Sequence, residues 1–153
     1  MHNLQVSIVR VGPEQPNLLA GLQEVFSEVF DDRKSHSAPQ PERLANNHIL
    51  CLAGLVGGKV VGGLTAYELP ALGKAKNDIY LYDLAVLPEF RRQGIARALI
   101  EELLKQARER GVDSVWVQAD TDEDDAPAIA LYSTFVKSSN VLNFDLPLDG
   151  KRR

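Results

Sequence analysis

A chain of 153 residues with 44% hydrophobic content can bury a core and needs only one, so residues 1–153 are expected to form a single domain. The net charge of −4 argues against a nucleic-acid surface, which needs an extended basic stripe, and favours a cationic partner. A lone cysteine excludes a disulfide framework, and no stretch reaches the ~20 apolar residues of a membrane span or resembles a signal peptide, so a cytoplasmic location off the membrane is expected.

Val6 to Val11 reads as a first strand, ended by Gly12 and Pro13, and Asn17 to Phe30 repeats Leu18, Leu22, Val25, Phe26 and Val29 at helical spacing. Asp31 to Pro41 is polar and turn-forming, and Pro41 opens a short helix through Asn47. Ile49 to Leu55 and Lys59 to Tyr67 read as strands joined at Gly57-Gly58, a hairpin signal, and Cys51 in the first of them reads as a small buried hydrophobe. After a loop over Pro70 to Asn77, Asp78 to Val86 is a strand rich in aromatic and branched residues, which Pro88 stops. The next helix carries Ile95, Leu99, Ile100, Leu103, Leu104 and Ala107 on one face before Gly111 ends it. Ser114 to Ala119 is a further strand, Pro127 to Phe135 a helix, and Val141 to Leu146 a closing strand. The order β-α-α-β-β-β-α-β-α-β is neither pure βαβ alternation nor segregated α+β, and periodicity alone yields a mixed α/β sandwich.

Chemistry concentrates in Leu84 to Leu99, LAVLPEFRRQGIARAL, where a strand runs into a basic turn that opens a helix. Gly94 and Ala96 keep that turn free of bulky side chains, so backbone N–H groups at a helix N-terminus can approach an anion. Arg91, Arg92 and Arg97 add full positive charges, and a diphosphate suits the arrangement. The turn is neither a Walker A loop nor the dinucleotide fingerprint G-x-G-x-x-G. The spacing Arg91-x-x-Gly94-x-Ala96 resembles the acetyl-coenzyme A signature of the GNAT acyltransferases, Q/R-x-x-G-x-G/A, including the preceding strand and proline.

The resemblance extends along the chain. YLYDLAVLPEFRRQGIARALIEELL, VQADTDEDDAPAIALY and the late Phe144-Asp145 are similar to the corresponding segments of the aminoglycoside 3-N-acetyltransferases, the gentamicin-modifying branch of that superfamily. It implies the GNAT acyl-CoA N-acyltransferase fold, a mixed but mostly antiparallel sheet of six or seven strands flanked by helices, with the strands separating near Leu84 to Val86. It also implies acetyl-CoA as cofactor. Backbone N–H groups from Arg92 through Gln93, Gly94 and Ile95 to Ala96 would bind the pyrophosphate, with Arg91 and Arg97 in support. The backbone of Leu84, Ala85 and Val86 would hold the pantetheine arm and polarise the thioester oxygen, a contact worth about 3 kcal/mol in well-ordered oxyanion holes. The activity implied is acetylation of the 3-amino group of gentamicin-type antibiotics, giving resistance.

An amine attacks a thioester only when unprotonated, so the site needs a proton acceptor and a donor for the departing thiolate. Tyr132 occupies the position at which the resembled enzymes present a hydroxyl to the thiol, and is the expected acid; packing its ring in the core is the competing role. Asp145 is the expected base, with Asp83 and Asp120 as rivals, and each carboxylate can also anchor the substrate ammonium. Asp32, Tyr67, Asp83, Asp120, Asp125 and Asp145 are the substrate-contact candidates, although Asp125 before Pro127 also suits a helix cap. His2, His36 and His48 lack ligand spacing, so no metal is expected.

The expected partner is therefore a cationic small-molecule amine, with the C-terminal strand open to pairing across a homodimer. Two other functions fit the same residues: acetylation of another amine, such as a polyamine, a metabolite or a protein N-terminus, or acyl-CoA binding without catalysis. The chain also departs from the resembled pattern, with Val136 in place of a helix-ending glycine and Asn143 in place of His.

Overall fold

Gly57 and Gly58, with φ of 56° and 82°, fold the chain back between β2 (Ile49–Val56) and β3 (Lys59–Leu69) in a computed structural model that describes residues 4–30 and 38–152. Two consecutive positive φ values make the turn that matches the strand twist, as the glycine pair predicts. β1 (Ser7–Arg10) pairs with the outer edge of β2, and β4 (Asp78–Val86) pairs with β3, both antiparallel. β5 (Ser114–Val117) then joins β4 in parallel, completing a five-stranded mixed sheet in the order β1-β2-β3-β4-β5. Only that last pairing needs a crossover, which α2 (Ile95–Arg110) supplies.

Two helices cover the sheet because side chains alternate faces along a strand. α1 (Pro16–Phe30) lays Leu22 against Gly63 of β3, whereas Ile95 of α2 touches Gly54 of β2. Gly63 lies opposite Ala53, the neighbour of Gly54, so the helices lie on opposite faces. Leu22 and Val25 on one side and Ile95, Leu99, Leu103 and Ala107 on the other are buried, with Leu50, Leu52, Leu64 and Ile79 of the sheet between them. Gly111, at φ 67°, ends α2 by donating its N–H to the carbonyls of Ala107 and Arg108.

This sheet and its two helices belong to one compact unit that runs to Gln118; a second begins at Ala119. The second contains a 3-10 turn, Glu123–Asp125, and α3 (Ala126–Ser133). Among the described residues no helix is long and apolar enough to cross a membrane.

Several expectations are corrected. The described residues form five strands, not six or seven, and Val141 to Leu146 is irregular backbone with Val141, Leu142, Phe144 and Leu146 exposed. A strand exists only through its ladder, and among the described residues Val141 to Leu146 belongs to none. Pro41 opens a 3-10 turn (Pro41–Ala45) rather than a helix to Asn47, because Asn46 donates to the Arg43 carbonyl and its side chain captures the N–H of His48 at 2.9 Å. α3 ends at Ser133, where the N–H groups of Thr134 and Phe135 tighten onto the carbonyls of Leu131 and Tyr132 at 3.1 and 2.9 Å.

Candidate active site

A β-bulge organises the first unit's end of the site. Thr65 pairs with Asp83 and Ala66 with Leu81, which leaves Tyr82 as an extra residue on β4. β5 pairs with β4 only through Leu81 opposite Val117, so β5 is two residues shorter than Ser114 to Ala119 and stops where the bulge bends β4. Among the described residues, the β4 edge on the β5 side has no ladder partner from Tyr82 to Val86. The strands thus separate from Tyr82 onward, just ahead of Leu84; the register turns the backbone groups of Leu84 and the N–H of Val86 to that side, where they suit an extended ligand, while Ala85 bonds toward β3.

Beyond Val86 the chain is tied down closely. Leu87 donates its N–H to Val61 at 2.8 Å, Pro88–Phe90 forms a 3-10 turn, and Arg91 Nε donates to the Val86 carbonyl at 3.0 Å. Arg91 therefore braces the turn against the end of β4. Arg92, at φ 61°, and Gly94, at φ 81°, are both left-handed, with Gln93 between them. Such alternation curls successive N–H groups into an anion-binding concavity. Gly94 is also the N-cap of α2 and makes no side-chain cap, so the first turn of α2 presents its N–H groups at Ile95 and Ala96 to an anion. Arg97 also lies 3.9 Å from Glu101, and Gln93 reaches back to the Glu89 carbonyl at 3.4 Å. These residues fit a diphosphate: the helix end, the left-handed pair and three arginines all favour negative charge. Gly94→Val puts a branched side chain at φ 81°, a strain of about 1–3 kcal/mol, so the KM for acetyl-CoA is expected to rise about tenfold or more in steady-state titration.

At the bulge, Asp83 is half-buried and accepts a 2.6 Å hydrogen bond from Thr65 Oγ1. Burial raises its carboxyl above the ordinary range despite that bond. Its charge also helps to lift its neighbours, although burial is the larger cause in each: Tyr67 is raised, and the Cys51 thiol is pushed up to about 12. A carboxyl raised on folding binds more protons in the native state, so this group's stability contribution is lost as pH climbs through its native pKa. Asp83→Asn is accordingly expected to raise Tm at pH 7 by more than at pH 4, measured by thermal melts across that range.

In the second unit, Asp125 Oδ2 accepts the N–H of Asp120 at 2.7 Å, and Asp122 Oδ1 accepts the N–H of Asp125 at 3.2 Å. Asp122 thus caps the 3-10 turn, while Asp125, at the N-cap of α3, makes no side-chain cap there and instead closes the acidic loop. Tyr132 lies on α3, and its phenol is pushed up to about 12 by burial and by the charge of Asp125. Asp145 is exposed on irregular backbone, and Asp32 lies outside the described residues.

Reading the sequence missed Thr65 and the bracing role of Arg91. The first was visible only as a hydroxyl residue breaking the apolar run of β3, and nothing in the sequence signalled the second.

A sheet that opens beside a bulge and delivers its strand to an uncapped, arginine-flanked helix start defines an acyl-CoA transferase, and residues 18–135 match the acetyltransferase (GNAT) family model. The chain belongs to the GNAT family, and its cofactor is acetyl-CoA. It is 39% identical to the structure of an aminoglycoside acetyltransferase, HMB0005, from an uncultured soil metagenomic sample, with 94% of this chain and 99% of that one covered at a TM-score of 0.89. A second soil-metagenome aminoglycoside acetyltransferase, meta-AAC0020 in complex with sisomicin, is 31% identical over 94% and 96% of the two chains, at a TM-score of 0.83. The chain also matches the ribosomal protein bS18-alanine N-acetyltransferase of Escherichia coli K12 with 41% identity over 54 residues, spanning 35% of each protein.

Proposed function

We propose that this protein acetylates the 3-amino group of gentamicin-type aminoglycosides, as a cytoplasmic single-domain enzyme that confers resistance. The observation that carries the reading is the 39% identity, across nearly the full length of both chains, to an aminoglycoside acetyltransferase. The sisomicin-bound neighbour supports a cationic aminosugar as acceptor, and the motifs around Asp83, Asp125 and Tyr132 support the 3-amino position by their resemblance to that class.

When bound, acetyl-CoA supplies an activated thioester. The backbone of Leu84 to Val86 orients it, and the Arg92 to Ala96 N–H groups hold its charged end with Arg91 and Arg97 in support. The amine nitrogen forms the new N–C bond as the C–S bond breaks, and its proton passes to a carboxylate. We assign that acceptance to Asp83, whose half-burial raises its basicity and whose carboxylate the Thr65 bond orients. Asp145, exposed, is assigned to ammonium binding together with Asp32, Asp120, Asp125 and Tyr67. Tyr132, kept protonated at neutral pH by a pKa of about 12, donates a hydrogen bond to the leaving sulfur.

The test is a thiol-release assay with acetyl-CoA over gentamicin, sisomicin, kanamycin, spermidine and an alanyl peptide, with mass spectrometry and NMR placing the acetyl group. Release with gentamicin and acetylation at the 3-amino nitrogen is the expected result. Release with the peptide alone would instead establish protein N-terminal acetylation, the reading favoured by the bS18-alanine enzyme match. Asp83→Asn is expected to abolish most turnover and flatten the acidic limb of the rate profile, whereas Asp145→Asn is expected mainly to raise the acceptor KM.

A further inference from the structure

Four aromatic side chains line one face of the sheet beside Asp83. Tyr67 is opposite Tyr80 in the β3–β4 ladder, and Tyr80 is opposite Trp116 in the β4–β5 ladder, so the three side chains share a face. Tyr80 and Trp116 stack with centroids 4.1 Å apart and planes at 17°. Tyr82 meets Tyr67 edge-on at 5.4 Å and Tyr80 at 5.6 Å. The Tyr80 hydroxyl is held by Gln118 Oε1 at 3.1 Å, which fixes the centre of the row.

This is not an ordinary core cluster. Tyr82, the extra residue of the bulge, is 60% exposed and Trp116 39%. Asp83 sits next in sequence, and its negative charge is felt by Tyr67 and Tyr80, whose phenols are raised first by burial and then partly by that charge. Open π-faces beside a half-buried carboxylate form a surface complementary to a cation. Flat rings also suit the apolar face of a six-membered sugar. A neutral sugar would gain only the stacking, and a linear polyamine only the charge. An aminosugar ring gains both.

We propose that Tyr67, Tyr82, Tyr80 and Trp116 form a platform that docks a protonated aminosugar ring of the acceptor, with one ammonium over a tyrosine face and directed toward Asp83. The proposal deepens the aminoglycoside reading and rests on it for the identity of the ligand. The platform selects cationic rings and positions the acceptor beside the opening between β4 and β5, while Asp83 meets the amine.

Trp116 is the chain's single tryptophan, so its fluorescence reports on this surface alone. Titration with sisomicin is expected to give a saturable change in Trp116 emission. The midpoint should shift about tenfold upward in Tyr82→Ala, a loss in keeping with one cation–π contact, and stay close to wild type in Tyr82→Phe, which keeps the ring. Trehalose, a neutral sugar, should bind at least tenfold more weakly. Equal midpoints for Tyr82→Ala and wild type, or equal binding of trehalose and sisomicin, would overturn the platform. Saturable, Tyr82-dependent binding of sisomicin without thiol release would support the platform and sink the proposed reaction. Sisomicin turnover with an acceptor KM indifferent to Tyr82→Ala would do the reverse.

Discussion

Tyr132→Phe is expected to lower kcat by about 10- to 100-fold and to leave the KM for acetyl-CoA within about twofold, because it deletes one charge-assisted hydrogen bond of roughly 1.5–3 kcal/mol. The size follows from the phenol's own acidity. With a pKa of about 12, Tyr132 is several units weaker as an acid than a thiol near 8.5, so full proton transfer to the leaving sulfur is uphill. In the role proposed for it, Tyr132 therefore acts through a hydrogen bond that strengthens as negative charge develops, and the product thiol gains its proton from elsewhere. The pH profile carries the same signature: between pH 7 and about 10 the phenol stays protonated, so no alkaline loss of rate arises from it. Steady-state kinetics of both proteins across that range checks both statements, and a kcat for Tyr132→Phe within twofold of wild type would remove the residue from the chemistry.

Gly63→Ala is expected to destabilise the fold by about 2–3 kcal/mol, lowering Tm by roughly 6–10 °C for a protein of this size. A Cβ there would meet the side chain of Leu22 and stand 2.5 Å from the Leu52 carbonyl oxygen. Leu22 is fully buried and cannot swing clear, and the carbonyl belongs to the β2 backbone. The glycine is what lets α1 press directly onto β3, and β3 in turn is the strand against which the bulged segment of β4 is registered. Calorimetry measures the loss directly. Activity at low temperature should be spared if only packing is affected.

Much of this architecture can be read from residue order, and the exceptions have physical causes. β4 and α2 were legible to within a residue because Pro88, Gly94 and Gly111 act locally, through a missing N–H and through positive φ. The same locality made the Gly57-Gly58 hairpin legible. Val141 to Leu146 shows the opposite case: its alternating apolar residues resemble a strand, but pairing depends on a partner that alternation does not supply. The bulge at Tyr82 was hidden for a related reason. IYLYDLAV is continuous as a pattern, and only the ladder with Thr65 and Ala66 shows one residue too many. Because the β5 pairing stops at Leu81, beside that extra residue, the opening beside Leu84 to Val86 was beyond sequence periodicity. The anion cradle was legible as composition, but the left-handed Arg92 and the Arg91 brace emerge only from the folded backbone. Among the carboxylates, the sequence reading favoured Asp145 over Asp83, because burial and the Thr65 bond, in which the two differ, leave no mark on residue order.

The seclusion of Cys51 has a practical side. The chain's single thiol is 1% exposed and pushed up to about 12, so it offers aromatic disulfide and maleimide reagents neither access nor thiolate. In the folded protein a colour change with such reagents counts released coenzyme A and nothing else. A cysteine placed on the surface would be the sole point of labelling, giving a native background for single-site spectroscopic probes.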